Sequence, residues 1–384
     1  MSWLCRKFYT ALARGLFGCA GLGFAVQPVD AGTVYVRTDL VSNLPNVAQT
    51  QDPNLQNAWG VANAPGGPLW VSDNNDGLST LYDGNGAKIA LTVTIPLPPG
   101  RVPPPAAAPT GMVWNPTTGF PITVGTTTVP ATFIFDSEDG TITAWNSTVD
   151  PVVNGQSTAT LVVNNSQAGA VYKGLAFGTN TQGVFLFATN FAAGTVEVYN
   201  NAFAPATLAG NFSDPDIPPG FAPFGIANID NNLFVTYAQQ NAQKNDVVPG
   251  AGLGFVDVFT TSGVLIKRFA SRGKLNAPWG VARATQNFGE FSGRILIGNF
   301  GEMGDAAGWI NAFSGGENNR FLGPLRDGQG KPISIDGLWS IVFGTFRNSD
   351  ADTLYFTAGP DNQQNGLFGK IVAQPATSDQ SAMQ

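Results

Sequence analysis

The sequence predicts an all-β fold, a six-bladed β-propeller, and three observations predict it. The first is a repeat. Six short apolar segments each carry a small anchor residue: Gly60 (NAWGVA), Gly111 (APTGMV), Gly174 (VYKGLA), Gly225 (APFGIA), Gly280 (APWGVA) and Ser340 (GLWSIV), at successive spacings of 51, 63, 51, 55 and 60 residues. A unit of that length holds one four-stranded blade, and repetition at such a period signals a radial array. The second is the pattern after each anchor. The segments LWVSD, FIFDS, FLFATN, LFVTY, ILIGN and LYFTA, then STLYDG, TITAWN, TVEVYN, FVDVFT, WINAF and GLFGKIV, alternate and are filled with β-branched and aromatic residues, as strands are. The third is composition: 12% charged and 43% hydrophobic residues with 47 Gly and 27 Pro in 384 residues describe a turn-rich β chain.

Taken in chain order, residues 1–31 read as a secretory leader. Arg6 and Lys7 form a basic start, residues 16–26 an apolar stretch, and Val29-Asp30-Ala31 a cleavage site of small residues. The apolar stretch is shorter than the roughly 20 residues a membrane span needs, so no stable membrane insertion is expected. An alternative reads Leu16-Phe17-Gly18-Cys19 as a lipid-attachment site at Cys19. Either way the protein is expected to be exported, secreted or periplasmic. Residues 32–384 then form a single propeller domain. Residues 33–40 (TVYVRTDL) are predicted to be the outer strand of the last blade, because blade six runs out of chain after Val372. Such a strand closes the ring and removes two open sheet edges.

Within the blades, Gly77, Gly140, Gly194 and Gly254 are expected to open the third strands with positive φ, which glycine adopts without penalty. Residues 91–95 and 160–163 are candidate outer strands. The Pro-rich segment 96–109 is a stiff surface excursion. Long loops at 238–254, 300–308 and 359–366 leave one face beside blades four to six and are expected to wall half of the channel mouth.

In a propeller the inner strand starts on the face where the second strand ends. Two rings of residues are therefore predicted around one mouth: Trp59, Thr110, Lys173, Phe224, Trp279 and Trp339, and beside it Asp73, Asp136, Asn190, Tyr237, Asn299 and Ala358. Aromatic faces stack on apolar or sugar surfaces while carboxylates and amides orient polar groups, so Trp59, Lys173, Phe224, Tyr237, Trp279 and Trp339 form the candidate ligand-binding set. The competing reading packs the aromatics between blades and uses the Asp and Asn residues for turns. The sequence fixes no cofactor. If a metal is present, the oxygens of Asp73, Asp136, Asn190 and Asn299 suit Ca²⁺ or Mg²⁺, although no stretch has EF-hand spacing. Asp73 and Asp136 could also act as a metal-free carboxylate pair on a glycoside.

Much chemistry is excluded. The chain has no histidine, so it has no Ser-His-Asp triad, no imidazole base and no imidazole metal ligand. Leader cleavage removes both cysteines, Cys5 and Cys19, and with them thiolate nucleophiles and disulfides. It also removes three cations and one anion, which carries the net charge from −7 to −9. Nucleic acid is accordingly not an expected partner.

The strings DPNLQNAWGVA, LWVSDNNDGLSTLYDG, FIFDSEDGTITAWN, GAVYKGLAFG, FATNFAAGTVEVYN, FSDPDIPPGFAPFGIANI, NAPWGVA, LIGNFG, DGLWSIVFG and LYFTAGPDNQQNGLFG together resemble an uncharacterised family of secreted bacterial propeller proteins, some with a PEP-CTERM sorting tail. The resemblance covers nearly the whole mature chain and implies no established activity. This chain ends QPATSDQSAMQ, without an apolar segment or basic cluster, so a free periplasmic or extracellular protein is expected. The resemblance implies that relatives often carry His in the blade-four and blade-six loops where this chain has Asn245 and Asn365. In blade pattern alone the chain is also similar to NHL-repeat and gluconolactonase-type propellers. The lactonase site takes Glu and Asn from inner-strand positions, and the column here offers neither. The expected function is a binding or interaction module for a small molecule, glycan or extracellular protein at the loop-decorated face. The alternative is a Ca²⁺- or Mg²⁺-dependent hydrolase, lactonase or lyase at the same mouth, and a purely structural role stands third.

Overall fold

Six sheets surround one axis in the computed structural model, which describes residues 32–301, 305–316 and 319–376. The leader expected in residues 1–31, with Cys5 and Cys19, lies outside the described residues, as do residues 302–304 of the loop 300–308. The innermost strands are Ala58–Asn63, Pro109–Trp114, Tyr172–Asn180, Phe221–Ile229, Pro278–Arg283 and Leu338–Phe343, and each contains one of the six anchors. In blades one to five the next strands follow outward in chain order and antiparallel to their neighbours, except that short strands on the outer edges of blades one and six pair in parallel. Blade three has three strands, ending at Thr195–Asn200; blades two, four and five have four, and blades one and six carry a short fifth at the outer edge, Gln156–Thr158 and Thr50–Gln51. No helix among the described residues is long and apolar enough to cross a membrane.

The ring closes as expected. Thr33–Ser42 pairs antiparallel with Leu367–Pro375, from Thr33 opposite Pro375 to Ser42 opposite Leu367, with a bulge between Asp39 and Val41. Tyr35, Leu40 and Val41 of this strand are buried. The Tyr35 hydroxyl donates to Phe288 O at 3.2 Å, and its ring stacks on Phe291 at 5.7 Å, so the first strand also ties blade six to blade five.

Each pair of neighbouring blades encloses its own apolar core, because alternate side chains of a strand point to opposite faces. Trp70 stacks on Phe133 at 4.1 Å between blades one and two. Phe187, Phe212 and Phe259 fill the space between blades three and four, and Tyr82, Phe368 and Tyr355 close the seam between six and one. A seventh cluster lies on the axis. Gly77, Gly140 and Gly194 have positive φ as expected, at 66°, 76° and 71°. Gly254 does not. It is small for another reason: a Cβ there would stand 2.5 Å from Pro278 Cδ, while the left-handed turn is made by Gly252. The segment 96–109 runs over the surface and is held by an Arg101–Asp139 ion pair of 2.7 Å.

Candidate functional site

The residues before the anchors do converge on the axis, but they fill it. Trp59 and Trp339 stack with centroids 3.5 Å apart and 13° between planes, and Phe300 covers the other side of Trp339 at 4.0 Å. Phe224 and Trp279 meet Trp339 edge-on at 6.0 and 6.5 Å. Lys173, fully buried, places its ammonium 4.9 Å above the Trp59 ring and ion-pairs with Glu138, with Asp246 3.8 Å away. The Trp279 indole donates to Lys173 O at 2.9 Å, a bond that reaches across the axis from blade five to blade three. Trp339 donates to Asn57 Oδ1 at 2.8 Å. Thr110, the polar member of the ring, has its hydroxyl 2.8 Å from Asp136 Oδ1 and 2.9 Å from Tyr172 O.

The loops complete this plug instead of walling a pocket. Phe300 and Val247 belong to the axial cluster, and Gln363 Oε1 accepts from Asn57 at 3.3 Å. Tyr237 stands apart from the other candidate ligand-binding residues. It lies in the core between blades three and four with Phe212, Phe255 and Phe259, beside Asp214 and Asp257, which both pair with Arg268.

The second ring is displaced by one residue from the sequence expectation. Asp73, Asn190, Tyr237 and Asn299 pair with Ala58, Tyr172, Pro223 and Pro278 on the inner strands. Their side chains turn into the seams between blades. At the mouth stand the next residues along: Asn74, Glu138, Phe191, Ala238, Phe300 and Gly359. Asn74 donates to Glu138 Oε2 at 3.2 Å, and Phe191, Ala238 and Phe300 are in the axial cluster. Asp136 is a further step out of register, because FIFDS continues to Ser137, which is the residue opposite Pro109.

The four candidate metal-binding residues are therefore not brought to one point. Asp73 lies on the face of Val71, in the seam with blade six, and is fully buried; burial pushes it well above the usual carboxylate range, with the Thr80 hydroxyl pulling it back and Asp52 adding to the rise. Asp136 lies on the opposite kind of face, that of Ile134 towards blade three. Burial pushes it up to about 7, against the hydrogen bonds from Thr110 and Gly111. The Asn190 amide donates to Glu197 Oε1 at 2.7 Å, and its oxygen accepts from Ala193 N at 3.1 Å. The Asn299 amide donates to Lys274 O and Ala306 O at 2.8 and 2.9 Å. Among the described residues no group of three or more Asp and Glu side chains is placed to hold a metal ion.

The open part of the channel is reached from the opposite face. At the anchors the inner strands touch: a Cβ on Gly111 would stand 2.6 Å from Leu175 N and one on Gly280 2.8 Å from Trp339 O, while at Gly60 and Gly225 it would run into Thr110 O and Trp279 O. Beyond this waist the strands splay, and a cavity of about 390 Å³ opens along the axis. Each blade contributes the residue after its anchor: Val61, Met112, Leu175, Ile226, Val281 and Ile341. Trp279 closes the inner end, Ser340 lines the wall, and Asn63, Trp114, Phe177 and Asn228 form the outer part. Of the sequence-derived set, Trp279 alone lines this cavity. The signal for the rest was present as the apolar residue following every anchor.

No family model matches the chain. It is 34% identical over 364 residues to Uncharacterized protein R648 of Acanthamoeba polyphaga mimivirus, covering 92% of this chain and 85% of that protein. It is 32% identical over 340 residues to Uncharacterized protein L690 of the same virus, covering 87% of this chain and 84% of that protein. These relatives are viral, and they give no support to the bacterial origin, sorting tail or secretion expected from the motifs. Among solved structures, a structural-genomics protein of unknown function from Bacteroides thetaiotaomicron is similar with a TM-score of 0.52 at 10% identity, covering 89% of this chain and 76% of that one, a likeness of fold alone. The chain belongs to the same family as the uncharacterised mimivirus proteins.

Proposed function

We propose that this chain, exported behind its leader, is a binding module that takes a small molecule into the axial cavity. The observation that carries the reading is the cavity of about 390 Å³, walled by one apolar residue from each of six blades and closed at its inner end. A concave, preformed, mostly apolar site of this size is what small ligands occupy. The loop-bearing face, where the sequence placed the ligand, serves as a stopper: its aromatic rings are stacked on one another and its polar groups on one another.

The test is titration with N-phenyl-1-naphthylamine, an uncharged dye whose emission rises on apolar burial. Saturable enhancement with one equivalent is expected. It should be lost in Leu175→Trp and Ile226→Trp, which fill the cavity. Trp339→Ala should leave dye binding intact and cost about 3–5 kcal/mol of stability, since Trp339 packs the plug beyond the waist. No enhancement with the native chain, or full enhancement in both filling variants, would remove the cavity as the site.

A further inference from the structure

We propose that the ligand of the axial cavity is an uncharged, largely apolar molecule with one hydrogen-bonding oxygen, and that Ser340 reads that oxygen; this rests on the axial cavity being the binding site. No Lys, Arg, Asp or Glu lines the cavity. A charge carried into it would lose its hydration and meet no partner. The body of the ligand therefore packs against the apolar ring, from Val61 round to Ile341.

Ser340 is the one departure from glycine among the six anchors. At the other five positions the absent side chain lets neighbouring inner strands touch. Here a side chain is retained: Ser340, 6% exposed as a residue, is part of the cavity wall. The Ser340 backbone N–H donates to Thr357 Oγ1 at 3.1 Å, while its own hydroxyl makes no hydrogen bond among the described residues. The hydroxyl is not one of the fully buried, unpartnered polar atoms among the described residues; it is open to solvent, and an oxygen supplied by the ligand takes the place of water there.

The two side-chain amides of the site have their N–H groups engaged and lie further out. Asn63 donates to Thr345 Oγ1 at 3.2 Å and Asn228 to Phe177 O at 2.6 Å. Both stand three residues beyond their anchors, a distance of about 10 Å along a strand. The ligand thus enters oxygen first and leaves its apolar end toward the mouth. A hydroxyl or carbonyl compound of roughly that length is the class that fits.

The test is displacement of bound N-phenyl-1-naphthylamine by naphthalene, 2-naphthol and 2-naphthoate at pH 7. In the native chain 2-naphthol should displace the dye at about three- to tenfold lower concentration than naphthalene, the range one hydrogen bond supplies. The charged 2-naphthoate should fail to displace it. Ser340→Gly introduces the residue that the other five blades carry, and Ser340→Ala keeps the Cβ; both should still bind dye and lose the advantage of the naphthol. Equal displacement by naphthol and naphthalene, an advantage that survives in both variants, or displacement by naphthoate as good as by naphthol would overturn the assignment to Ser340 and to an uncharged ligand. Failure of the dye to bind the native chain at all would instead overturn the cavity site, and this inference with it.

Discussion

Asp136 is one residue out of step with Asp73, and that step determines its surroundings. Its carboxyl is fully buried beside the Thr110 hydroxyl, and burial lifts its pKa from 3.8 to about 7. The fold therefore holds this proton more tightly than the unfolded chain does. The resulting stabilisation is complete below about pH 4 and is lost as pH rises through about 7. Asp73 acts in the same direction, also by burial. Melting temperature should accordingly decline between about pH 4 and 8. Asp136→Asn keeps an acceptor for Thr110 but cannot ionise, so it should flatten part of that decline, by at most about 4 kcal/mol at pH 8. A difference between native and Asp136→Asn that does not change with pH would contradict the argument.

The inner strand is the element on which both ends of the channel depend. Its anchor glycine sets how closely neighbouring blades approach, the residue before it joins the aromatic plug, and the residue after it lines the cavity. The contacts at the waist are unequal, which makes them testable. A Cβ on Gly225 would overlap Trp279 O, whereas one on Gly174 would lie 3.1 Å from Phe224 O. Gly225→Ala should cost about 1–3 kcal/mol by forcing strands apart, and Gly174→Ala distinctly less. Urea denaturation of the two variants measures the difference; equal costs would mean that the waist is not set by these glycines. The repeat of anchors was legible because each is a small residue at a fixed place in an apolar run. The second ring was not, because a one-residue shift at a strand end moves a side chain to the other face, and LWVSD and FIFDS end their strands at different points of that alternation.

At the scale of the whole molecule, the ring depends on its first strand. Thr33–Ser42 completes blade six, and Tyr35, Leu40 and Val41 are buried there. Fully burying each such side chain is worth about 1.5–3 kcal/mol, and a domain as a whole is stable by only about 5–15 kcal/mol. Deleting residues 33–42 should therefore abolish the cooperative transition in calorimetry. A deletion that melts at the native temperature would show that the closure carries no stability.

The sequence by itself determined the number of blades, the order of their strands and the closure by the N-terminal segment, because period, alternation and a missing outer strand are local properties of the chain. It also determined the exclusions, since a chain without histidine cannot do imidazole chemistry. Only the tertiary structure decided which mouth is open. Trp59, Trp279 and Trp339 reach the axis whether they form a platform or a plug. Whether space remains between them depends on residues from other blades, Phe191, Phe300 and Val247, which enter the same few ångströms. That is a property of three-dimensional packing and not of any one repeat, and it moves the open cavity to the far side of the glycine waist.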